Sequence, residues 1–206
     1  MKKTTEDNNL ESRIIKIARE TFIEKGFAET SMSEIATRVG INRPVLHYYF
    51  RTKDKLFQSV FGDIVLSIAP KIFDTLVQKD KTIAERIEEI VDAYYLLFLK
   101  NPQLPMFMLR EINRDANFLI KTAIQFKLVD RAMQVWKSLE DEMNNGILRK
   151  VSFRFMLFNM YGLLTMPFLT KKASFIYLKK DESFENMLEE WKSNIIFQMQ
   201  NLLSPE

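Results

Sequence analysis

Residues 31–50 read Ser-Met-Ser-Glu-Ile-Ala-Thr-Arg-Val-Gly-Ile-Asn-Arg-Pro-Val-Leu-His-Tyr-Tyr-Phe, and this stretch decides the fold. Ser31 followed three residues later by Glu34 is a helix start. The serine hydroxyl accepts from the Glu34 amide, and the Glu34 carboxylate is placed to reach back to the Ser31 amide. Ile35, Ala36 and Val39 then give the helix one apolar face. Gly40 ends it after two turns, because a residue without Cβ permits a tight reversal. Ile41 plugs the space between helices, and Asn42 caps the next one. Pro44 falls in that helix's first turn, where a missing N–H costs nothing. Leu46, Tyr49 and Phe50 supply its buried side. Two short helices about a glycine turn form a helix-turn-helix, whose second helix lies in the major groove of DNA.

A groove-reading helix needs a polar side opposite its packed side. Arg43, His47 and Tyr48 are available there, with Pro44 and Val45 at the leading end. Arg43 has the geometry to donate twice to a guanine edge. Ser31 and Ser33 combine hydroxyls with free amides at a helix N-terminus, a favoured place for phosphate. Lys53, at the next helix start, is a phosphate clamp by the same logic. Asn42 reads first as a cap. Tyr49 and Phe50 read first as packing.

The charge supports a polyanionic partner. Residues 1–60 hold eleven Lys and Arg against eight Asp and Glu, whereas the rest of the chain holds nineteen of each. Between residues 38 and 55, five cations face only Asp54. A charge asymmetry of this kind marks a nucleic-acid surface, and a solvated basic loop is the ordinary alternative.

Outward from this core the period is helical. Ile14, Ala18 and Phe22 recur every four residues before Gly26, read as a left-handed cap. Thr52 caps a helix carrying Leu56, Val60, Ile64 and Ile68. A stripe from Ile83 to Leu97 stops at Asn101-Pro102. A short segment follows near Leu104–Asn113, then a long stripe from Ile120 to Met143. Further helices are expected over Ser152–Thr170 and Ser183–Leu203. No alternating stretch is long enough for a sheet.

Composition narrows the function. With no cysteine and one histidine among 206 residues, thiol catalysis, disulfides, Cys-ligated metals and Ser–His pairs are set aside. The carboxylate pairs Glu88/Glu89, Asp141/Glu142 and Glu189/Glu190 are adjacent on helices and point apart. No phosphate loop or metal-ligand spacing is present. The chain is therefore expected to be no enzyme and to need neither metal nor cofactor. No signal peptide opens it, and the uncharged run between Arg154 and Lys171 is too short to cross a bilayer. No membrane partner and a cytoplasmic location are expected.

Over about Ile14 to Phe57 the chain resembles the tetracycline-repressor (TetR) family of one-component bacterial regulators. The resemblance rests on Lys25-Gly26-Phe27, Thr30-Ser31-Met32-Ser33-Glu34-Ile35-Ala36, Val39-Gly40-Ile41, Leu46-His47-Tyr48-Tyr49-Phe50 and Thr52-Lys53-Asp54-Lys55-Leu56-Phe57. It implies that Tyr49 reaches a phosphate, whereas His47 stands where the family often has Tyr. It further implies an all-α fold. Residues 1–53 form a three-helix helix-turn-helix DNA-binding domain, and residues 54–206 a larger helical bundle for ligand binding and dimerisation. The expected partners are a double-stranded DNA operator, a second copy of the chain and a small-molecule effector. The function implied is a ligand-responsive repressor on a palindromic operator, nucleoid-associated while bound. The alternative is a TetR-like architectural or protein-interaction DNA binder without a small ligand.

The second domain is rich in Phe and Met, which suit an adaptable apolar cavity and, at helical spacing, are core residues first. Tyr94, Phe98, Met106, Phe107, Arg110, Phe126, Met133, Trp136 and Tyr161 are the candidate ligand contacts. The helix at Ser152–Thr170 has almost no polar face and must be buried on both sides. With the last helix it is the candidate dimer interface, through Phe155, Phe158, Leu163, Met166, Leu188, Trp191, Ile195 and Met199.

Overall fold

The computed structural model describes residues 5–177 and 182–205, all helix, turn or loop with no strand among them. The helices are α1 (Thr5–Glu29), α2 (Met32–Val39), α3 (Arg43–Tyr49), α4 (Lys53–Leu66), α5 (Ala69–Leu76), α6 (Ile83–Lys100), α7 (Leu104–Gln125), α8 (Leu128–Asn144), α9 (Phe153–Leu169) and α10 (Phe184–Leu203). A 3-10 turn spans Lys171–Ile176. The fold is all-α, as the periodicity requires.

The chain forms two compact units. The first comprises residues up to Ser67 together with Met106–Phe126, and the second Ile68–Pro105 together with residues from Lys127 onward. The unit holding the helix-turn-helix thus takes in more chain than residues 1–53, because α4 and most of α7 complete its core.

In the first unit, α1 packs on α2 and α4. Ile14, Ala18, Phe22, Ile35, Leu46, Leu56 and Phe57 are essentially excluded from solvent. Phe57 is the hub. Its ring meets Phe22 edge-on at 5.0 Å and Phe27 at 5.1 Å, with Phe107 and Phe118 of α7 at 6.1 and 5.8 Å.

Gly26 differs from the left-handed cap expected there. Its backbone sits at φ 85°, ψ 171°, inside the span of α1. That region is essentially restricted to glycine. At the kink, α7 supplies hydrogen-bonding partners to the backbone of α1. The Phe27 N–H donates to Glu111 at 3.0 Å, and Arg110 donates to the carbonyls of Phe22 and Ile23 at 3.4 and 3.5 Å.

The long stripe from Ile120 to Met143 is broken in two. Lys127 takes a left-handed conformation (φ 56°) between α7 and α8, with no glycine or proline to announce it. Ile120 and Ile124 are exposed on α7, while Val135, Leu139 and Met143 are buried on α8. Inside α7, Asp115 departs from helical geometry and recaps the chain by accepting from the Phe118 amide at 2.9 Å.

In the second unit, α6 packs against α5, α9 and α10, and α5 against α8. Thr82 and Glu85 form a reciprocal capping box at the start of α6. Arg86 and Glu142 pair in the interior at 2.9 and 3.0 Å, and Arg86 also donates to the carbonyls of Lys81 and Leu76.

Candidate functional site

The turn between α2 and α3 is built by local hydrogen bonds. Gly40 is left-handed (φ 78°, ψ 34°). The Ile41 amide donates to Ala36 and the Gly40 amide to Thr37, at 3.0 and 3.1 Å. This is the Schellman pattern, which satisfies the last carbonyls of α2. Ser31 caps α2 through the Glu34 amide at 3.1 Å, and Asn42 caps α3 through the Val45 amide at 2.9 Å. The capping box at Ser31 is only half made. Glu34 turns its carboxylate to Lys25 at 2.6 Å and Arg38 at 3.1 Å, since opposite charges outcompete an exposed amide.

Leu46 and Phe50 face the core, and Tyr49 is half-buried. Ser31, Ser33, Asn42, Arg43 and Pro44 are exposed, Val45 and His47 partly so, and Tyr48 is 73% exposed. The Tyr48 ring is thus left in water at the end of a packed helix. The Tyr48 and Tyr49 rings meet edge-on at 5.3 Å. Arg43 and His47 lie one turn apart, and Arg43 Nε donates to His47 Nε2 at 3.1 Å. His47 Nδ1 lies 3.1 Å from the Arg51 carbonyl. A neutral imidazole protonated at Nδ1 satisfies both contacts. His47 thus aligns the Arg43 guanidinium along the helix.

Two of the five cations between residues 38 and 55 are committed elsewhere. Arg38 pairs with Glu24 at 2.8 Å as well as with Glu34. The hydrogen bond to Glu24 raises the Arg38 pKa, and that same bond lowers the pKa of Glu24. Lys53 donates to the Thr30 carbonyl at 2.7 Å and stands 4.3 Å above the Phe27 ring. Burial there lowers the ammonium's pKa. It thus closes the end of α1. Thr37 is exposed one turn beyond Ser33 on α2, and Arg51 is exposed after α3.

A second feature lies wholly within the second unit. Helices α5, α6, α8, α9 and α10 enclose a cavity of about 250 Å³. Ile72, Ile87, Leu139, Met156, Met160 and Met199 are among its walls, and no charged residue lines it. Of the candidate ligand contacts, Tyr94 and Trp136 line it. Burial raises the Tyr94 hydroxyl to about 12. Tyr95 and Tyr161 are raised by burial too.

The other candidates lie elsewhere. Phe98 is buried against Phe168 at 5.2 Å, and Tyr161 is partly buried on α9 outside the lining. Met133 is exposed and borders a neighbouring groove. Met106, Phe107, Arg110 and Phe126 belong to the first unit, where Phe107 fills the core and Arg110 serves α1.

Of the candidate dimer residues, Phe155, Phe158 and Met166 are exposed, Leu163 and Trp191 are partly buried, and Trp191 donates to the Leu163 carbonyl at 2.9 Å. Leu188, Ile195 and Met199 are buried within the subunit and offer nothing to a partner.

An all-helical chain whose α2–turn–α3 unit presents Arg43, His47 and Tyr48 outward is a DNA-binding regulator of the helix-turn-helix class. Residues 14–60 match the family described as bacterial regulatory proteins, tetR family. The chain is similar to the probable HTH-type transcriptional regulator YttP of Bacillus subtilis, at 23% identity over 188 residues, covering 89% of this chain and 87% of that one. In fold it is similar to a TetR family transcription regulator from Marinobacter aquaeolei VT8, with TM-score 0.75, 14% identity and 98% of both chains covered. It is also similar to the transcriptional regulator FadR of Bacillus subtilis, solved in complex with stearoyl-CoA, with TM-score 0.69, 14% identity and 93% and 98% of the two chains covered. Over residues 14–60 the chain is thus similar to bacterial regulatory proteins of the tetR family, and its fold is similar to theirs over its whole length.

Proposed function

We propose that this regulator is a ligand-responsive repressor. It binds a palindromic operator as a homodimer and releases it when an apolar or amphipathic small molecule occupies the cavity of the second unit. The cavity is the observation that carries this reading: an architectural DNA binder has no use for a void with apolar walls, which forfeits packing energy. The FadR structure with stearoyl-CoA gives a precedent for a long-chain ligand on a similar fold. In functional terms residues 1–53 are the DNA-binding part and residues 54–206 the ligand-binding and dimerising part.

The DNA contacts proposed are Arg43 to a base edge, with His47 holding it in line, and Tyr48 and Val45 at base edges or methyl groups. Ser31, Ser33, Pro44 and Tyr49 stand at the backbone. The dimer face proposed is the exposed strip of α9, Phe155, Phe158 and Met166, joined by Phe197 of α10. A twofold pair presents two copies of α3 to two half-sites. The protein acts in the cytoplasm, on the nucleoid while bound, and no catalytic residue is proposed.

The test is operator selection from random duplex DNA, followed by binding titrations at several salt concentrations. A palindromic consensus is expected, with log K falling by about 0.9 per phosphate neutralised per unit log salt. Arg43→Ala is expected to lose about 1–3 kcal/mol and its preference at one base position. Parent-like affinity and base preference in that variant would refute the role of α3 as reader.

A further inference from the structure

We infer that the effector is an uncharged lipophile of about ten non-hydrogen atoms carrying one uncharged oxygen, which Tyr94 binds. The inference rests on the reading of the cavity as the effector site, and deepens it.

Size comes first. At interior packing density, a cavity of about 250 Å³ holds about ten non-hydrogen atoms of a flexible molecule. Charge follows from the walls. The buried ions of this unit, Arg86 and Glu142, are 3% exposed, bonded to each other, and Arg86 is further bonded to two carbonyls. A carboxylate or ammonium entering the cavity meets no free counter-ion, and an unpaired charge does not leave water for such a site.

Polarity leaves a single anchor. Among the lining residues, Trp136 carries an indole N–H and Tyr94 a hydroxyl. The indole N–H is committed to Glu140 at 2.7 Å. The Tyr94 hydroxyl has no hydrogen-bond partner among the described residues, while its ring is fixed against Phe98 at 5.5 Å. A ligand oxygen gives this hydroxyl a hydrogen-bond partner. An alcohol, ketone, ether or ester supplies that oxygen without bringing a charge.

The test uses the full chain with ¹³C-methyl methionine and three probes of matched length: 1-octanol, octanoate and protonated octylamine. Met143, Met156, Met160 and Met199 line the cavity, while Met32 lies in the other unit and serves as the internal control. Saturable shifts of the four lining methyls by octanol are expected, with octanoate and octylamine at least tenfold weaker. Tyr94→Phe, whose unchanged far-UV circular dichroism and native tryptophan emission show that its second unit folds, is expected to weaken octanol about fivefold. If octanoate or octylamine binds the four methyls as tightly as octanol, the uncharged class is overturned while the effector site stands. If Tyr94→Phe binds octanol like the parent, the anchor is overturned. If no probe moves the four methyls, the effector-site reading falls, and this inference with it.

Discussion

Replacing Gly26 by Ala tests the account of the DNA-binding unit at its most strained point. The backbone at φ 85°, ψ 171° lies where an L side chain costs about 1–3 kcal/mol. A Cβ there also lands 2.7 Å from Cζ and Nε of Arg110. The guanidinium is the end of a flexible side chain and moves aside, losing hydrogen bonds to Phe22 and Ile23 that are already long. That loss is about 0.5 kcal/mol, near the bottom of the usual range. Alanine recovers about as much by reducing the freedom of the unfolded chain. The net destabilisation is then about 2 kcal/mol, almost all of it from the backbone. For a unit of this size the melting temperature falls by roughly 8–16 °C. Both tryptophans lie in the second unit, so far-UV circular dichroism and calorimetry report the change, and tryptophan emission serves as the control. Removing the clash with a second substitution, Arg110→Ala, recovers little if strain dominates. A Gly26→Ala protein melting within a degree of the parent would refute the strain argument, and full recovery in the double variant would reassign the cost to Arg110.

Glu142→Gln leaves the Arg86 charge buried without its counter-ion and should cost about 3–5 kcal/mol in urea unfolding; a loss under 1 kcal/mol would show that the carbonyls of Lys81 and Leu76 suffice. Stability should also fall in alkali. The folded Tyr94 hydroxyl is held at about 12 against 10 when free, so the native state keeps a proton that the unfolded state has lost. That contribution is complete below pH 10 and disappears as the pH rises through 12, and Tyr94→Phe should flatten this part of the pH–stability curve. Phe158→Glu places a charge on an apolar side chain that is 69% exposed in the subunit. It should give monomers in sedimentation velocity with the helix content unchanged, and a persistent dimer would move the interface off α9.

The parts of the site legible in the sequence are those made by hydrogen bonds within about five residues. Ser31, Gly40, Asn42 and Thr52 each do what their residue type dictates, because the partner amide or carbonyl is fixed by chain geometry alone. Lys53 and Glu34 read differently because their partners are distant in sequence. Lys53 reaches back more than twenty residues to the end of α1, and Lys25 draws Glu34 away from its own helix start. The same limit governs Gly26. Its identity announced a special backbone, but which special backbone depended on Arg110 and Glu111, more than eighty residues on.

Most of the candidate ligand contacts lie outside the cavity for a related reason. Periodicity shows that a helix has an apolar face and is silent about what the face meets. Most of α7 joins the first unit and takes Met106, Phe107, Arg110 and Phe126 with it, although all four lie between helices of the second unit in the chain order. The break that permits this, at Lys127, carries neither glycine nor proline. Left-handed lysine is unfavourable in isolation, so its residue type gives no sign of the turn. The cavity is the complement of that arrangement. It is walled by α5, α6, α8, α9 and α10, and two of its lining aromatic residues, Tyr94 and Trp136, come from helices flanking the departed one. A candidate list drawn from aromatic content therefore included these two and could not have excluded the residues on α7, whose side chains are just as apolar and serve the DNA-binding unit instead.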